Sequence, residues 1–291
     1  MSVRRRAMLL TAAVLLASVA SPAAAQGADE LRIVTVGAAV TETVHALGAG
    51  DSIVGVDTTS QWPETVRQLP SVGYMRALGV EGLLSLRPSL VLCTAEAGPR
   101  AVLDQLGSAG TRVEVLPAPA SIADAEALVR RVGELLDRQD RSHDVVATLR
   151  RQVEEARARL PQGSAPRVLF LVHAPTGAAP LAAGRGTPAS AMIELAGGIN
   201  VAASLEGYKP IGPEAMLAAS PQVVVVPAGT VARAGGAKAI LQQGALAETP
   251  AGRDGRLVEA DPYVVAFGPR TGQAIADLGR RIHAPALHAS R

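Results

Sequence analysis

The chain has 291 residues, of which 48% are hydrophobic and only 2% aromatic, with 28 basic and 26 acidic side chains. Three of the arginines, at positions 4–6, lie in a segment that we expect to be removed, so the mature chain is close to neutral. A neutral chain offers no electrostatic basis for binding nucleic acid. The lone Cys93 cannot form an intrachain disulfide, so burial of apolar side chains must hold the fold together.

The N-terminal segment has the order of a secretory signal. Three arginines precede an apolar run at residues 7–20, and three alanines at 23–25 offer a small-residue cleavage site. We therefore predict a signal peptide at 1–25 and a periplasmic mature protein. The sequence has no cysteine after the apolar run to carry a lipid anchor, and no later stretch reaches the roughly 20 apolar residues of a membrane-spanning helix.

Apolar β-branched runs alternate with helix-like segments from residue 32 to residue 116. The pattern predicts four strands and three helices, with Gly48 and Pro88 as helix stops. Such alternation is typical of a mostly parallel sheet covered by helices. In chain order the predicted elements are strand 32–36, helix 41–47, strand 53–56, helix 80–86, strand 89–93, helix 100–109 and strand 113–116.

Residues 122–160 differ in composition from the preceding segment and are rich in helix-forming and charged residues. They predict one helix that closes the first lobe and a long connecting helix at about 141–160. The segment 161–166 contains two prolines and a glycine and ends that helix, and a new apolar strand begins at 167. The pattern of the first half therefore starts again.

An internal repeat supports two similar halves. Residues 81–93 align without a gap with 214–226, each a Glu-led helix, a proline stop and a buried strand, and Gly73-Tyr74 corresponds to Gly207-Tyr208. We predict an α/β protein with two Rossmann-like lobes of mainly parallel strands, at 31–121 and 165–291, joined by helices at 122–160. The ligand is expected in a cleft between the lobes, at the carboxyl ends of the strands.

Several short motifs occur in one order along the chain. They are Val-Asp-Thr-Thr-Ser-Gln-Trp-Pro at 56–63, Leu-Pro-Ser-Val-Gly-Tyr-Met-Arg at 69–76, Ala-Gly-Arg-Gly-Thr at 183–187, Gly-Tyr-Lys-Pro at 207–210 and Phe-Gly-Pro-Arg-Thr at 267–271. Together they resemble the haem-binding branch of the helical-linker class of ABC-importer binding proteins. The resemblance implies a monomer that captures haem and delivers it to a permease dimer with a cytoplasmic ATPase. The rigid connector predicts only modest hinge closure.

The resemblance assigns Tyr74 as the axial ligand of haem iron and Arg76 as its neighbour. Ferric iron prefers an anionic oxygen, and a phenolate serves as a single axial ligand in some haem proteins. A free phenol has a pKa of about 10, so a nearby cation helps to release its proton. If residues 74–76 are extended, alternate side chains share one side, and Arg76 would lie beside the phenol.

Four further residues are candidates for the cleft. Tyr208 is the repeat counterpart of Tyr74, and Lys209 or Arg270 would meet a haem propionate. His173 follows the strand at 168–172 and is a possible second ligand or the ligand of a second haem.

Glu81 and Glu214 lead the two matching helices of the repeat. The resemblance implies that they dock onto arginines of the permease. An acid in a first helical turn is also stabilised by the helix dipole, and both roles are compatible.

Two other functions stay open. The same fold could carry a ferric siderophore or cobalamin, although a siderophore already fills the coordination sphere of iron and leaves a phenolate nothing to bind. An α/β enzyme is the other alternative, but Glu42, His45 and Asp57 have no nucleophile at a recognised spacing, and the sequence has no Gly-x-Ser-x-Gly elbow. We therefore expect a binding protein.

Overall fold

The computed structural model describes residues 31–172 and 180–285. The strands are β1 Ile33–Val36, β2 Ile53–Val56, β3 Leu90–Thr94, β4 Arg112–Leu116, β5 Arg167–Val172, β6 Leu181–Ala183, β7 Ile199–Asn200, β8 Tyr208–Pro210, β9 Val223–Pro227 and β10 Leu257–Ala260. The α-helices are α1 Ala38–Ala46, α2 Val80–Ser85, α3 Arg100–Ser108, α4 Ile122–Leu135, α5 Gln139–Ala158, α6 Pro188–Leu195, α7 Pro213–Ala219, α8 Thr230–Arg233, α9 Ala237–Leu241, α10 Pro250–Arg253 and α11 Thr271–His283.

The first half of the chain forms a four-stranded parallel sheet in the order β2-β1-β3-β4. Its central strands are buried on both faces: Ile33 belongs to the apolar cluster on one face, and Val34 and Val36 belong to the cluster on the other. This explains why the strand reads as a continuous apolar run instead of an alternating one. All seven predicted elements of this half are present, with ends shifted by no more than three residues.

The second half forms a six-stranded mixed sheet. Strands β10, β9 and β5 are parallel in the order β10-β9-β5, and β7 also pairs with β5 in parallel. Strand β6 pairs antiparallel with β5, and β8 pairs antiparallel with β6. The repeat is structural, because α2 and β3 correspond to α7 and β9. The two sheets fall within the predicted ranges 31–121 and 165–291, and the exact domain boundaries remain a prediction.

Helices α4 and α5 connect the halves. Ser121 caps α4 by accepting the Asp124 N–H at 3.1 Å. The Arg150 guanidinium then ties α5 to α4 by two hydrogen bonds of 2.6 Å to the Glu126 carboxylate. Helix α5 packs against α11, and Gly272 permits the close approach: a β-carbon there would lie 2.5 Å from Gln152 Cβ.

No helix among residues 31–172 and 180–285 is long and apolar enough to cross a membrane. The predicted signal peptide at 1–25 lies outside the described residues.

Candidate ligand-binding site

A cavity of about 780 Å³ lies between the two sheets, within the roughly 300–1,000 Å³ typical of small-molecule sites. Residues that follow the carboxyl ends of six parallel strands line it: Gly37 after β1, Thr58 after β2, Thr94 ending β3, Ala118 after β4, Ala228 after β9 and Pro262 after β10. Much of the remaining wall is apolar, with alanine, proline, Met75 and Val265. Parallel strands thus bring both halves to one cleft, as the sequence predicts.

Tyr74 lies on the wall of this cavity with 48% of its surface exposed. The preceding segment adds to the edge of the first sheet, where Val72 donates its N–H to Val56 O at 2.9 Å. Gly73 follows with a φ of 90°, which favours glycine, and this backbone conformation turns the chain into the cleft. The phenol is therefore presented by a loop that is anchored to a buried strand.

Residues 74–76 are not extended, so the condition under which Arg76 would lie beside the phenol is not met. The Ala77 N–H donates to Tyr74 O at 2.8 Å and closes a four-residue turn. The Arg76 guanidinium donates to the Glu96 carboxylate, with 2.7 Å between Nη2 and Oε1. Because Arg76 is committed to Glu96, the structure shows no hydrogen bond between Arg76 and the Tyr74 phenol among the described residues.

Tyr208 approaches the same region from the second half of the chain. Burial raises the pKa of its phenol, the Glu96 carboxylate raises it further, and the Arg76 guanidinium partly opposes the rise. Tyr208 therefore lies within electrostatic reach of the Arg76–Glu96 pair, although it is not a wall residue of the cavity. Its strand neighbour Lys209 is exposed and, because successive strand residues point to opposite faces, projects to the other side of β8.

Arg233 lines the cavity, a position that the sequence analysis did not predict. Its guanidinium donates to Thr230 Oγ1 at 3.2 Å, and it has no carboxylate partner within the described part of the chain. The sequence offers no motif around this arginine. Only the folding of α8 beside the cleft reveals it.

The opposite wall of the cavity also contains a buried hydroxyl. Thr94 is 4% exposed, and its Oγ1 has no hydrogen-bond partner among residues 31–172 and 180–285. A buried polar atom without a partner costs stability, so this hydroxyl is an unsatisfied position beside the cavity.

Asp57 is structural in this fold. Its carboxylate, 1% exposed, accepts the Gly37 N–H at 2.8 Å, the Ser60 hydroxyl at 2.7 Å and the Thr59 hydroxyl at 2.6 Å. These bonds fix the β1–α1 and β2 loops that form the base of the cleft. A carboxylate with this many donors is held in place as a loop anchor.

Arg270 joins the two halves beside the cleft. Its guanidinium lies 4.5 Å from the centre of the Trp62 ring and 4.1 Å from that of Tyr263, and 3.5 Å from the Glu42 carboxylate. His45 packs edge-on against Trp62 at 5.9 Å. The predicted role of Arg270 as a propionate partner is untested, but in this structure its guanidinium is already engaged and does not line the cavity.

Glu81 and Glu214 occupy the first turns of α2 and α7 and are exposed, as the repeat predicts. One turn later each helix carries an exposed leucine: Leu84 is 37% exposed and Leu217 is 41% exposed. The two helices therefore present the same pair of surface side chains. The remaining candidate, His173, lies outside the described residues.

The fold and the cleft define a two-lobed solute-binding protein. Residues 33–264 match the family model described as periplasmic binding protein, and the chain belongs to that family.

Solved structures of binding proteins are similar over almost the whole described chain. The periplasmic haem-binding protein RhuT from Roseiflexus sp. RS-1 is 37% identical, with a TM-score of 0.82, covering 87% of this chain and 97% of that one. BhuT in complex with two haems is 39% identical, with a TM-score of 0.80, covering 86% and 97%. A periplasmic haem-binding protein from Pseudomonas aeruginosa is 40% identical, with a TM-score of 0.75, covering 88% and 95%.

Among curated proteins, the vitamin B12-binding protein of Yersinia pestis (strain Pestoides F) is 29% identical over 204 residues, which is 69% of this chain and 70% of that protein. This identity is lower than that to the three haem-binding structures and covers less of the chain.

Proposed function

We propose that this protein is a periplasmic carrier that captures haem in the cleft between its two sheets and delivers it to an ABC importer. The observation that carries the proposal is the half-exposed phenol of Tyr74 on a largely apolar cavity wall. A flat porphyrin packs against apolar walls, and ferric iron prefers an anionic oxygen, which a phenolate supplies. Several similar solved proteins are haem-binding proteins, which supports the same ligand here.

In this proposal Tyr74 binds the iron through its deprotonated oxygen. Loss of the phenol proton is favoured by the positive charge of the iron and by Arg76 on the same turn. Arg233 contributes a cation within the cavity, where it would pair with a propionate or assist the phenolate. Apolar side chains such as Met75 and Val265 would cover the porphyrin faces. The protein contributes binding and transfer, and no chemical step is proposed.

Delivery requires recognition by a permease, and the matched surfaces of α2 and α7 support this step. Each presents an exposed glutamate with an exposed leucine one turn later. A partner made of two equivalent subunits would meet one such surface on each half of the carrier. We assign Glu81 and Glu214 to ion pairs with this partner, and Leu84 and Leu217 to apolar contacts beside them.

The test is an absorbance titration of the purified protein with ferric haem, beside the variants Tyr74→Phe and Tyr263→Phe. Wild type and Tyr263→Phe should give a saturable spectrum with a phenolate-to-iron charge-transfer band, and Tyr74→Phe should lose the band. The endpoint also counts the haems bound.

Cobalamin is the second candidate, because the curated relative from Yersinia pestis is named as a vitamin B12-binding protein. A parallel titration with cyanocobalamin separates the two ligands. Saturable binding of cobalamin without saturable binding of haem would overturn the proposal.

A further inference from the structure

Glu96 lies on the cavity wall and holds the one cation carried by the turn that presents Tyr74. The distance between Arg76 Nη2 and Glu96 Oε1 is 2.7 Å, and the two side chains are 58% and 49% exposed. Glu96 lines the cavity together with Tyr74, whereas Arg76 does not. The ion pair therefore draws the guanidinium towards a fixed carboxylate instead of leaving it free for a ligand.

The backbone keeps these two residues together. Gly98 donates its N–H to Met75 O at 2.9 Å, and Leu78 donates its N–H to Gly98 O at 2.9 Å. The loop that carries Glu96 and the turn that carries Arg76 are thus tied by two backbone hydrogen bonds, both made by Gly98. Separation of the pair requires rotation of the side chains and not a movement of the loops.

We propose that Glu96 is a release residue that competes with bound haem for the Arg76 guanidinium. The inference rests on the proposed function. When haem binds, the Tyr74 phenolate or a propionate attracts Arg76, and Glu96 must give up part of its hydrogen bonding. When haem leaves, Glu96 takes the guanidinium back. A carrier has to release its cargo, and a carboxylate beside the required cation weakens binding without altering the iron ligand.

The position of Tyr208 supports this assignment from the other half of the chain. Glu96 and Arg76 both act on its phenol, with opposite effects on its pKa. Glu96 also lines the cavity that residues of both halves form, so the exchange of Arg76 between Glu96 and the ligand takes place at the cleft. A change in the distance between the halves would therefore alter this exchange of Arg76.

The test compares haem affinity and dissociation rate in wild type, Glu96→Gln, Arg76→Gln and the double variant. Dissociation is followed by transfer of haem to an excess of a haem-scavenging apoprotein. We expect Glu96→Gln to bind haem about two- to five-fold more tightly, mostly through slower dissociation, as is typical for the loss of an exposed ion pair. In the Arg76→Gln background, Glu96→Gln should have little effect on haem binding, because the guanidinium for which Glu96 and the ligand compete is absent.

Glu134→Gln is the matched control. Glu134 forms an exposed ion pair with Arg131 at 3.1 Å, with 50% and 56% of the side chains exposed, and it does not line the cavity. The Glu134→Gln substitution changes the net charge by the same amount as Glu96→Gln and should leave haem binding unchanged.

Weaker binding by Glu96→Gln would overturn the inference, because Glu96 would then orient Arg76 for the ligand. An equal gain in both backgrounds would also overturn it, since that result indicates simple repulsion of the propionates. If wild type shows no saturable haem spectrum at all, the proposed function itself fails, and that outcome is distinct from the other two.

Discussion

The Arg270 guanidinium lies 3.5 Å from the Glu42 carboxylate, and the two residues come from opposite halves of the chain. Glu42 belongs to α1 beneath the first sheet, while Arg270 precedes α11 in the second half. The arginine is also sandwiched between Trp62 and Tyr263, one ring from each half. The ion pair with Glu42 and the cation–π contact with Trp62 join the two halves, while the contact with Tyr263 lies within the second half.

The first prediction concerns Arg270→Met. We expect the free energy of unfolding to fall by about 2–4 kcal/mol at pH 8, because the substitution leaves the Glu42 carboxylate buried without its cation and removes both ring contacts. Urea denaturation measures the loss. Arg100→Met, which removes an exposed pair with Asp104, should cost less than about 0.5 kcal/mol. Equal losses in the two variants would show that the contacts of Arg270 contribute no more to stability than an exposed ion pair does.

The second prediction concerns the pH dependence of Glu42. Burial raises the pKa of its carboxyl to about 7, although the Arg270 guanidinium lowers it in part. A carboxyl with a raised pKa binds its proton more tightly in the folded state, so its contribution to stability is complete below the unfolded pKa of about 4.5 and is lost as pH rises towards 7. The total change is about 3 kcal/mol at most.

Unfolding of wild type and Glu42→Gln by urea between pH 5 and pH 8 tests this. The glutamine variant cannot titrate at this position, so wild type should lose stability relative to the variant as pH rises. If the difference in free energy of unfolding between wild type and Glu42→Gln stays constant across this pH range, the pKa of Glu42 does not differ between the folded and unfolded states.

The third prediction distinguishes the two tyrosines of the cleft. Burial and Glu96 raise the pKa of the Tyr208 phenol, so Tyr208 is a poor source of phenolate at neutral pH. Tyr208→Phe should therefore keep the phenolate-to-iron charge-transfer band, with haem affinity within about three-fold of wild type, while Tyr74→Phe loses the band. Absorbance spectra of both haem complexes decide the matter. Loss of the band in Tyr208→Phe alone would instead identify Tyr208, in the second half of the chain, as the iron ligand.

The fourth prediction addresses delivery. Glu81→Arg and Glu214→Arg should bind haem as wild type does, because both residues are exposed and absent from the cavity wall. Each should reduce haem uptake by the reconstituted importer at least ten-fold, since reversal of a charge at an ion pair adds repulsion to the loss of attraction.

Leu84→Ser and Leu217→Ser should reduce uptake as well, by a smaller factor. Glu206→Arg alters an exposed acid of the second half that pairs with Arg185, and serves as the control. Normal uptake by all four variants would exclude α2 and α7 as the docking surface.

Much of the fold follows from local sequence patterns. Strands such as β1, β3 and β9 are continuous apolar runs because both of their faces are buried. Glycine and proline residues mark the ends of the helices between the strands. The repeat of α2–β3 as α7–β9 predicts one helix–strand unit of the second half, but not its antiparallel strands β6 and β8. The meeting of strand ends at one cleft follows from the parallel order alone.

The contacts within the site depended on the tertiary structure. Residues 74–77 form a turn because the Ala77 N–H bonds back to Tyr74 O, and no periodic pattern in the sequence indicates this turn. Arg76 pairs with Glu96 and Arg270 with Glu42, and each partner arrives from a distant part of the chain.

The sequence by itself thus determined the elements of the first half, the connecting helices and the repeat, because these depend on local burial patterns. The resemblance carried by short motifs predicted Tyr74 as a cleft residue. Only the tertiary structure decided which charges meet. An ion pair depends on distances of 3–4 Å between side chains, and those distances are set by the packing of both halves around the cleft. For the same reason Arg233, with no motif around it, became visible as a cleft residue only in the folded protein.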